Sequence, residues 1–343
     1  MKKQIFFNTI ALIIVLMLVG IDTEAGKWRV NNTGGVDTDF TSLAAAHTGA
    51  SNGDTIYIES SGVSYGTLTI TKKLCIFGPG YFLPENPETQ ANPVTAKLGD
   101  ITLGSGSDST ILAGLEITYL QFNAVANVNI NNVVIMRNKI GRVYLNNYNT
   151  YGGSNNMIIQ NYIEYASSSN AVDIESYFNN TLLQNNYISS TYGTPSTLRI
   201  AASSSVIVSN NVIRGNVQNQ NNTIFENNIF INATLSDTTA ALSFDYNIAN
   251  TAILPYTSVR QIIADLTTIF NDACATCSST DGQYQVEGAA IGYANDGTQC
   301  GMFGGSNPYV LSGLPPIPAI FEFKSPSAAA DSLSVTIKIK SHK

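Results

Sequence analysis

Four side chains in the middle of the chain have the chemical types for holding or cutting a sugar: Tyr144, Asp173, Glu175 and Arg199. They fall in three short runs, RVYL (142–145), AVDIE (171–175) and TLRIA (197–201), in which apolar and polar residues alternate. Successive side chains of a β-strand point to opposite faces. With Val143/Leu145, Val172/Ile174 and Leu198/Ile200 turned inward, Tyr144, Asp173, Glu175 and Arg199 turn outward. Stacking of the three runs then puts Tyr144, Asp173 and Arg199 in one column, with Glu175 alongside. An aromatic face beside a carboxylate and a guanidinium can hold a sugar by stacking and bidentate hydrogen bonds. The plainer reading is an exposed cross-strand ion pair worth about 0–1 kcal/mol.

The elements that would stack these runs repeat between residues 131 and 230. The copies read NNVVIMRNKI, NNMIIQNYI, NNTLLQNNYI, SSSVIVSNNVI and NNTIFENNIF. Each places an asparagine two residues before an apolar residue: Asn138, Asn161, Asn186, Asn211 and Asn228. The closing residues Ile140, Ile163, Ile188, Ile213 and Phe230 are separated by 23, 25, 25 and 17 residues, and Ile248 follows after 18. Such a period marks a solenoid. Two or three short strands with turns fill each coil, and a helix does not fit as well. Asparagine tolerates the left-handed conformation of a sharp turn. Stacked about 4.8 Å apart, asparagine side chains can also hydrogen-bond to the copies above and below. The expectation is an all-β chain, a right-handed parallel β-helix with an apolar bore and an asparagine ladder at one corner. Residues 130–140 also fit the leucine-rich-repeat template, but the other copies put Gly153, Phe178, Ser203 and Gln220 at its first position. The segments between copies are poor in helix formers.

The chain opens MKK, continues with an apolar run from Ile10 to Val19, and reaches Thr23-Glu24-Ala25, the pattern of a secretory leader cut after Ala25. No later stretch is long and apolar enough for a membrane span. The net charge of −7 survives removal of residues 1–25, which takes away two lysines and two acids. An acidic chain without basic runs excludes nucleic acid as the expected partner. Export permits disulfides. Cys75 lies in an apolar run and reads as a buried thiol, whereas Cys300 is expected to pair with Cys274 or Cys277. Cys274-x-x-Cys277 has only Cys300 and no histidine beside it, so it does not make a zinc site.

Residues 26–100 read as an entry cap. Phe40, Leu43 and Ala46 recur at near-helical spacing after the capping candidates Thr38 and Asp39, and Gly53-Asp54 turns the chain into the strand TIYIE. A short helix would cover the otherwise bare edge of the first coil. This helix, GDTIYI, the Tyr65-Gly66 turn and KKLCIFGPG together resemble the opening of pectin-lyase-like β-helix proteins. TIF (268–270), QYQVEGAAIG (283–292) and DGTQCGMFGG (296–305) resemble the last coil and exit turn of secreted bacterial members. The resemblance implies the fold over most of residues 28–305 and leaves activity open, because the group includes lyases, hydrolases, esterases and adhesins. Coils are therefore expected over 101–305. A Pro-rich extended tail over 306–343 ends in the strand SLSVTIKIK, which either pairs along the solenoid flank or serves in export or attachment.

Enzymes of this superfamily carry their working residues on the outer wall. Its lyases need a base and something to neutralise a uronate, often calcium, and its hydrolases need paired carboxylates at a set separation. Between 101 and 254 the only basic residues are Arg137, Lys139, Arg142, Arg199 and Arg214, and no Asp-Asp pair occurs. His47 and His342 lie outside the coils, His47 on the cap helix. Calcium at Asp281 or Asp296 is the one cofactor left to consider, and a Gly-Asp exit turn also accounts for those residues. Tyr148, Tyr151, Tyr162, Tyr165, Tyr187 and Tyr192 cluster near coil corners as potential glycan platforms or as strand-end packing. The expected protein is a secreted or cell-surface, non-catalytic binding or structural module whose partner is a polysaccharide or surface glycan. The alternative is a polysaccharide lyase or glycoside hydrolase working from the Asp173, Glu175 and Arg199 wall.

Overall fold

A short β-branched run exposes backbone donors and acceptors that a matching run one coil away can satisfy, so repeated runs stack. The computed structural model describes residues 24–34, 37–191, 196–220, 223–237, 243–251, 261–270, 279–325 and 333–342. Nearly all of the expected leader, as well as Cys274 and Cys277, lies outside them. Ten parallel strands form a first sheet in chain order, from Lys27–Val30 to Ser243–Asp245. Its inward register runs Ile56, Ile76, Leu112, Ile135, Ile158, Leu183, Val208 and Phe225, all sealed from solvent. Each such side chain contributes about 1.5–3 kcal/mol by leaving water. The chain is an all-β parallel solenoid.

A second, fourteen-stranded sheet forks. Its early members, Lys97–Leu103, Glu116–Asn123 and Lys139–Asn146, are long strands that bend in the middle. Beyond Lys139–Asn146 the sheet divides. One arm starts at Tyr162–Tyr165, pairing with Lys139 and Ile140, and the other at Val172–Ile174, pairing with Val143, Tyr144 and Leu145. The polar segment 166–171 separates the two arms, so later coils have three strands each. Helices described in the structure lie in the cap and after the last coil, which removes the leucine-rich-repeat alternative.

The ladder forms at the corner between the sheets. The backbone N–H of Asn138 donates to Asn161 Oδ1 at 3.0 Å, and the contact repeats from Asn161 to Asn186, Asn186 to Asn211 and Asn211 to Asn228 at 2.9 Å. Each Nδ2 reaches a carbonyl of the coil below, such as Ile158 for Asn186 at 2.8 Å. Asn247 adds a sixth rung. Two expectations are corrected here. The left-handed residue is the one before each ladder asparagine: Arg137, Gln160, Asn185, Asn210, Asn227 and Tyr246 have φ between 53 and 58°. The ladder asparagine itself must point inward to reach its partners. Ile248 pairs with Ile229, and Ala249 is the true register mate of Phe230.

Side chains of the left-handed residues point outward, where they hold a returning strap, residues 279–315. Asn227 Nδ2 donates to Asn295 Oδ1 at 2.9 Å, and Asn185 Nδ2 donates to the carbonyls of Met302 and Gly304. Gln160 reaches the carbonyls of Asn307 and Pro308, and Arg137 that of Leu314. The strap thus descends the flank coil by coil and covers Tyr162, Tyr187, Val212 and Ile229. The final strand does not pair with the coils. Thr336–Ser341 forms an antiparallel hairpin with Pro318–Lys324, attached by Ala91 N–H to Ile320 O at 2.8 Å and by Lys340 to Glu88.

At the other end, the cap helix Leu43–Gly49 buries Leu43 and Ala46 and is capped by Ser42, whose hydroxyl accepts from Ala45 N–H. Asp39 accepts from Arg29 N–H instead and cannot cap. His47 is structural: its Nε2 accepts the Thr71 N–H at 3.1 Å.

Replacing Asn186 by Ala leaves the Asn161 N–H and the Ile158 carbonyl without these partners in a dry interior. Two unsatisfied groups cost about 1–3 kcal/mol each. Asn186→Ala is therefore expected to lower the unfolding free energy by at least about 2 kcal/mol in urea titration, with an unchanged m-value.

Candidate functional site

Where the second sheet forks, the outward column reads Gln121, Tyr144, Asp173, Arg199, Gln218 in direct register. Tyr144, Asp173 and Arg199 therefore stack as their alternation requires, while Val143, Leu145, Val172, Ile174, Leu198 and Ile200 fill the bore. The charged cluster is more enclosed than an exposed ion pair. Asp173 has a side chain only 7 % exposed. Its Oδ1 meets Arg199 Nε at 2.7 Å as an ion contact rather than an aligned hydrogen bond. Its Oδ2 takes Asn170 Nδ2 at 3.0 Å and Arg142 Nη2 at 3.4 Å. Asn170 comes from the segment that splits the two arms.

Glu175 closes the group by pairing with Arg199 and standing 3.5 Å from the Tyr144 hydroxyl. Arg142 lies between two aromatic rings, its guanidinium 5.3 Å from the Tyr119 centroid and 4.9 Å from that of Tyr144. Burial alone would lower the Arg199 pKa, but Asp173 and Glu175 outweigh it and hold the pKa above its ordinary value. Burial raises the Tyr144 phenol, and the Glu175 and Asp173 charges raise it further. Both carboxylates are thus in contact with guanidinium groups.

Beside this wall, at the bend of the long strands, is a cavity of about 280 Å³ lined by Lys97, Glu116, Lys139, Gly141, Glu164 and Tyr165 among others. Lys97, Glu116 and Lys139 occupy one register position on three successive coils. Lys139 Nζ stands 3.2 Å from Glu116 Oε1 and 5.0 Å from the Phe82 ring centroid. Glu164 and Tyr165 belong to the first arm of the fork. A side chain at Gly141 would place its Cβ 2.4 Å from the Thr118 carbonyl, so the tight bend requires glycine there. Sequence reading missed this cavity because two of its four coils precede the asparagine signature. The charged position recurring at 97, 116 and 139 was the available signal.

The corner tyrosines divide. Tyr148 is exposed, and Tyr151 and Tyr165 are half-buried. Tyr162 and Tyr187 are buried, a correction: they stack at 4.6 Å, and Tyr284 of the strap stacks on Tyr187 at 4.3 Å. Burial raises the Tyr162 phenol far above its ordinary pKa. Tyr192 lies outside the described residues. Asp281 is buried, its carboxylate accepting from Ser312 N–H at 2.7 Å and Asn86 Nδ2 at 3.1 Å. Asp296 Oδ1 accepts from Thr298. Among the described residues no cluster of three or more metal-binding side chains occurs. Cys75 and Cys300 are free thiols, and the expected partners of Cys300 fall outside the described residues. Burial pushes the Cys300 thiol up to about 12, and its Sγ lies 3.3 Å from the Tyr246 carbonyl.

No protein-family model, curated protein or solved structure matches this chain. Among the described residues no helix is long and apolar enough to cross a membrane.

The enclosure of Asp173 sets a measurable coupling. A double-mutant cycle of Asp173→Ala and Arg199→Ala is expected to give an interaction energy of about 1–3 kcal/mol, above the 0–1 kcal/mol range of exposed pairs. Chemical denaturation of the four proteins measures it.

Proposed function

We propose that this chain is a secreted or cell-surface β-helix protein of the pectin-lyase-like kind that binds carbohydrate without cleaving it. The binding face is the forked sheet: the cavity at the bend and the adjoining Tyr144, Asp173 and Arg199 wall. The observation that carries this reading is the state of the carboxylates. Asp173 is bridged by Arg142 and Arg199, and Glu175 is tied to Arg199. Such a network offers fixed donors and acceptors for hydroxyl groups, and Tyr165 adds an apolar edge to the cavity. A partly enclosed network held by three ion pairs is worth more as a positioned recognition surface than as an acid–base pair.

A second reading has one observation in its favour. Glu116 and Glu164 line the same cavity as Lys139, so two carboxylates and a base face one space, as a hydrolase or lyase would require. The two readings separate on product size. Incubation of the purified chain with a panel of neutral and uronate polysaccharides is expected to show retention of at least one, with chain length unchanged. Lys139→Ala and Arg199→Ala are expected to reduce that retention about tenfold. Shortened products that disappear in Glu116→Gln or Glu164→Gln would replace binding by catalysis.

A further inference from the structure

The first sheet carries a second concavity, remote in register from the fork. Its outward column begins Arg29, Tyr57, Phe77, Ala113 on successive coils. At Ala113 the column is covered, with Pro315 of the strap close to Gly114. There the chain leaves the sheet through Pro315, Pro316 and Pro318 and crosses to the terminal hairpin. Tyr57 and Phe77 are left half-exposed, and a groove of about 660 Å³ opens between them and residues 317–320. That volume is in the range of small-molecule sites. Three prolines within four residues fix the backbone of the far wall, so the groove exists before any ligand arrives.

We propose that this groove is a binding site for an uncharged oligosaccharide. The Tyr57 and Phe77 rings lie nearly parallel, 27° apart with centroids at 6.0 Å, and form an aromatic wall two coils long. Such a wall suits the C–H faces of pyranose rings, which are apolar while their rims are hydroxylated. Polar groups stand around it. The Gln90 amide is fixed by donating to the Pro79 carbonyl at 3.3 Å, which leaves its Oε1 to accept. Tyr57 lines the groove, and its hydroxyl has no hydrogen-bond partner among the described residues. Glu59 accepts from Arg29 Nε at 2.8 Å and from Asn31 Nδ2 at 2.9 Å.

The charges decide between ligand classes. Among the described residues, Arg29 and Glu59 are the only charged ones lining the groove, and they pair with each other. No unpaired charge is left to attract a uronate, a phosphate or an acidic peptide, and an ionic ligand would have to break the pair to gain a partner. An apolar peptide would leave Gln90, Tyr57 and Glu59 facing carbon, which polar groups disfavour. A polyhydroxylated ring with apolar faces satisfies both kinds of wall. This site is independent of the forked face, and either can fail without the other.

The test is calorimetric titration of the full chain with neutral hexasaccharides of the gluco, xylo and manno series, alongside a hexagalacturonate. At least one neutral hexamer is expected to bind. Tyr57→Ala with Phe77→Ala is expected to weaken it about tenfold or more, and Gln90→Ala to weaken it less. Trp28, the single tryptophan, sits on the same strand as Arg29, so its emission checks that the first coils remain folded. If the double variant unfolds, Tyr57→Leu and Gln90→Ala carry the test alone, because both side chains are partly solvent-exposed. The proposal is overturned if no neutral hexamer binds, if binding survives these substitutions, or if hexagalacturonate binds equally well at the same residues. Loss of binding in Arg199→Ala alone would assign the ligand to the forked face and also overturn it.

Discussion

The buried amide ladder at the corner between the sheets is the interaction on which the other features depend. A coil that turns sharply inside a dry core leaves backbone N–H and C=O groups pointing at each other across a gap that strands cannot bridge. One asparagine per coil fills that gap with both a donor and an acceptor, from Asn138 to Asn247. Because each asparagine bonds its neighbours on adjacent coils, it also fixes the register of both sheets at once. A one-residue slip would turn the apolar column outward and the polar column into the bore. The residue before each asparagine takes the left-handed conformation and sends its side chain out of the solenoid. The same corner therefore ties the coils together inside and holds the strap outside.

Register control at the corner carries over to the fork. With the coils aligned, Tyr144, Asp173 and Arg199 meet on one column, and Lys97, Glu116 and Lys139 on another. Segment 166–171 separates the arms and delivers Asn170 to Asp173. The outer face thus becomes a set of charges held at fixed positions by strands rather than loops, an arrangement suited to recognition. On the first sheet the strap has the opposite effect. It packs close to Gly114 beside the buried Ala113 and ends where the prolines turn away, leaving Tyr57 and Phe77 half-exposed.

Much of this was legible in the sequence because period-2 alternation and the asparagine spacing are local signals. Val143, Val172 and Leu198 gave the inward face, and that sufficed to place Asp173 against Arg199. What was not legible depends on contacts distant in the chain. Tyr162 and Tyr187 look like exposed corner tyrosines until Tyr284, about a hundred residues later, stacks on Tyr187 and Phe82 packs edge-on against Tyr162. The enclosure of Asp173 required Asn170 and Arg142, neither of which follows from strand alternation. Ser42 rather than Asp39 caps the helix because Arg29 N–H claims the Asp39 carboxylate. The offset at Ile248 arose because the coil from Asn228 to Asn247 is one residue longer than the count between apolar residues implied.

Native-state hydrogen exchange of the ladder amides tests the central claim most directly. The N–H groups of Asn138, Asn161, Asn186, Asn211 and Asn228 each donate to the side chain of the next rung. If the ladder fixes the register of the whole solenoid, the interior amides Asn161, Asn186 and Asn211 exchange only through global unfolding, with a shared free energy that tracks denaturant stability. Exchange of those amides at the rate of exposed turn residues such as Asn149 would contradict the account, because the corner would then open while the sheets stayed intact.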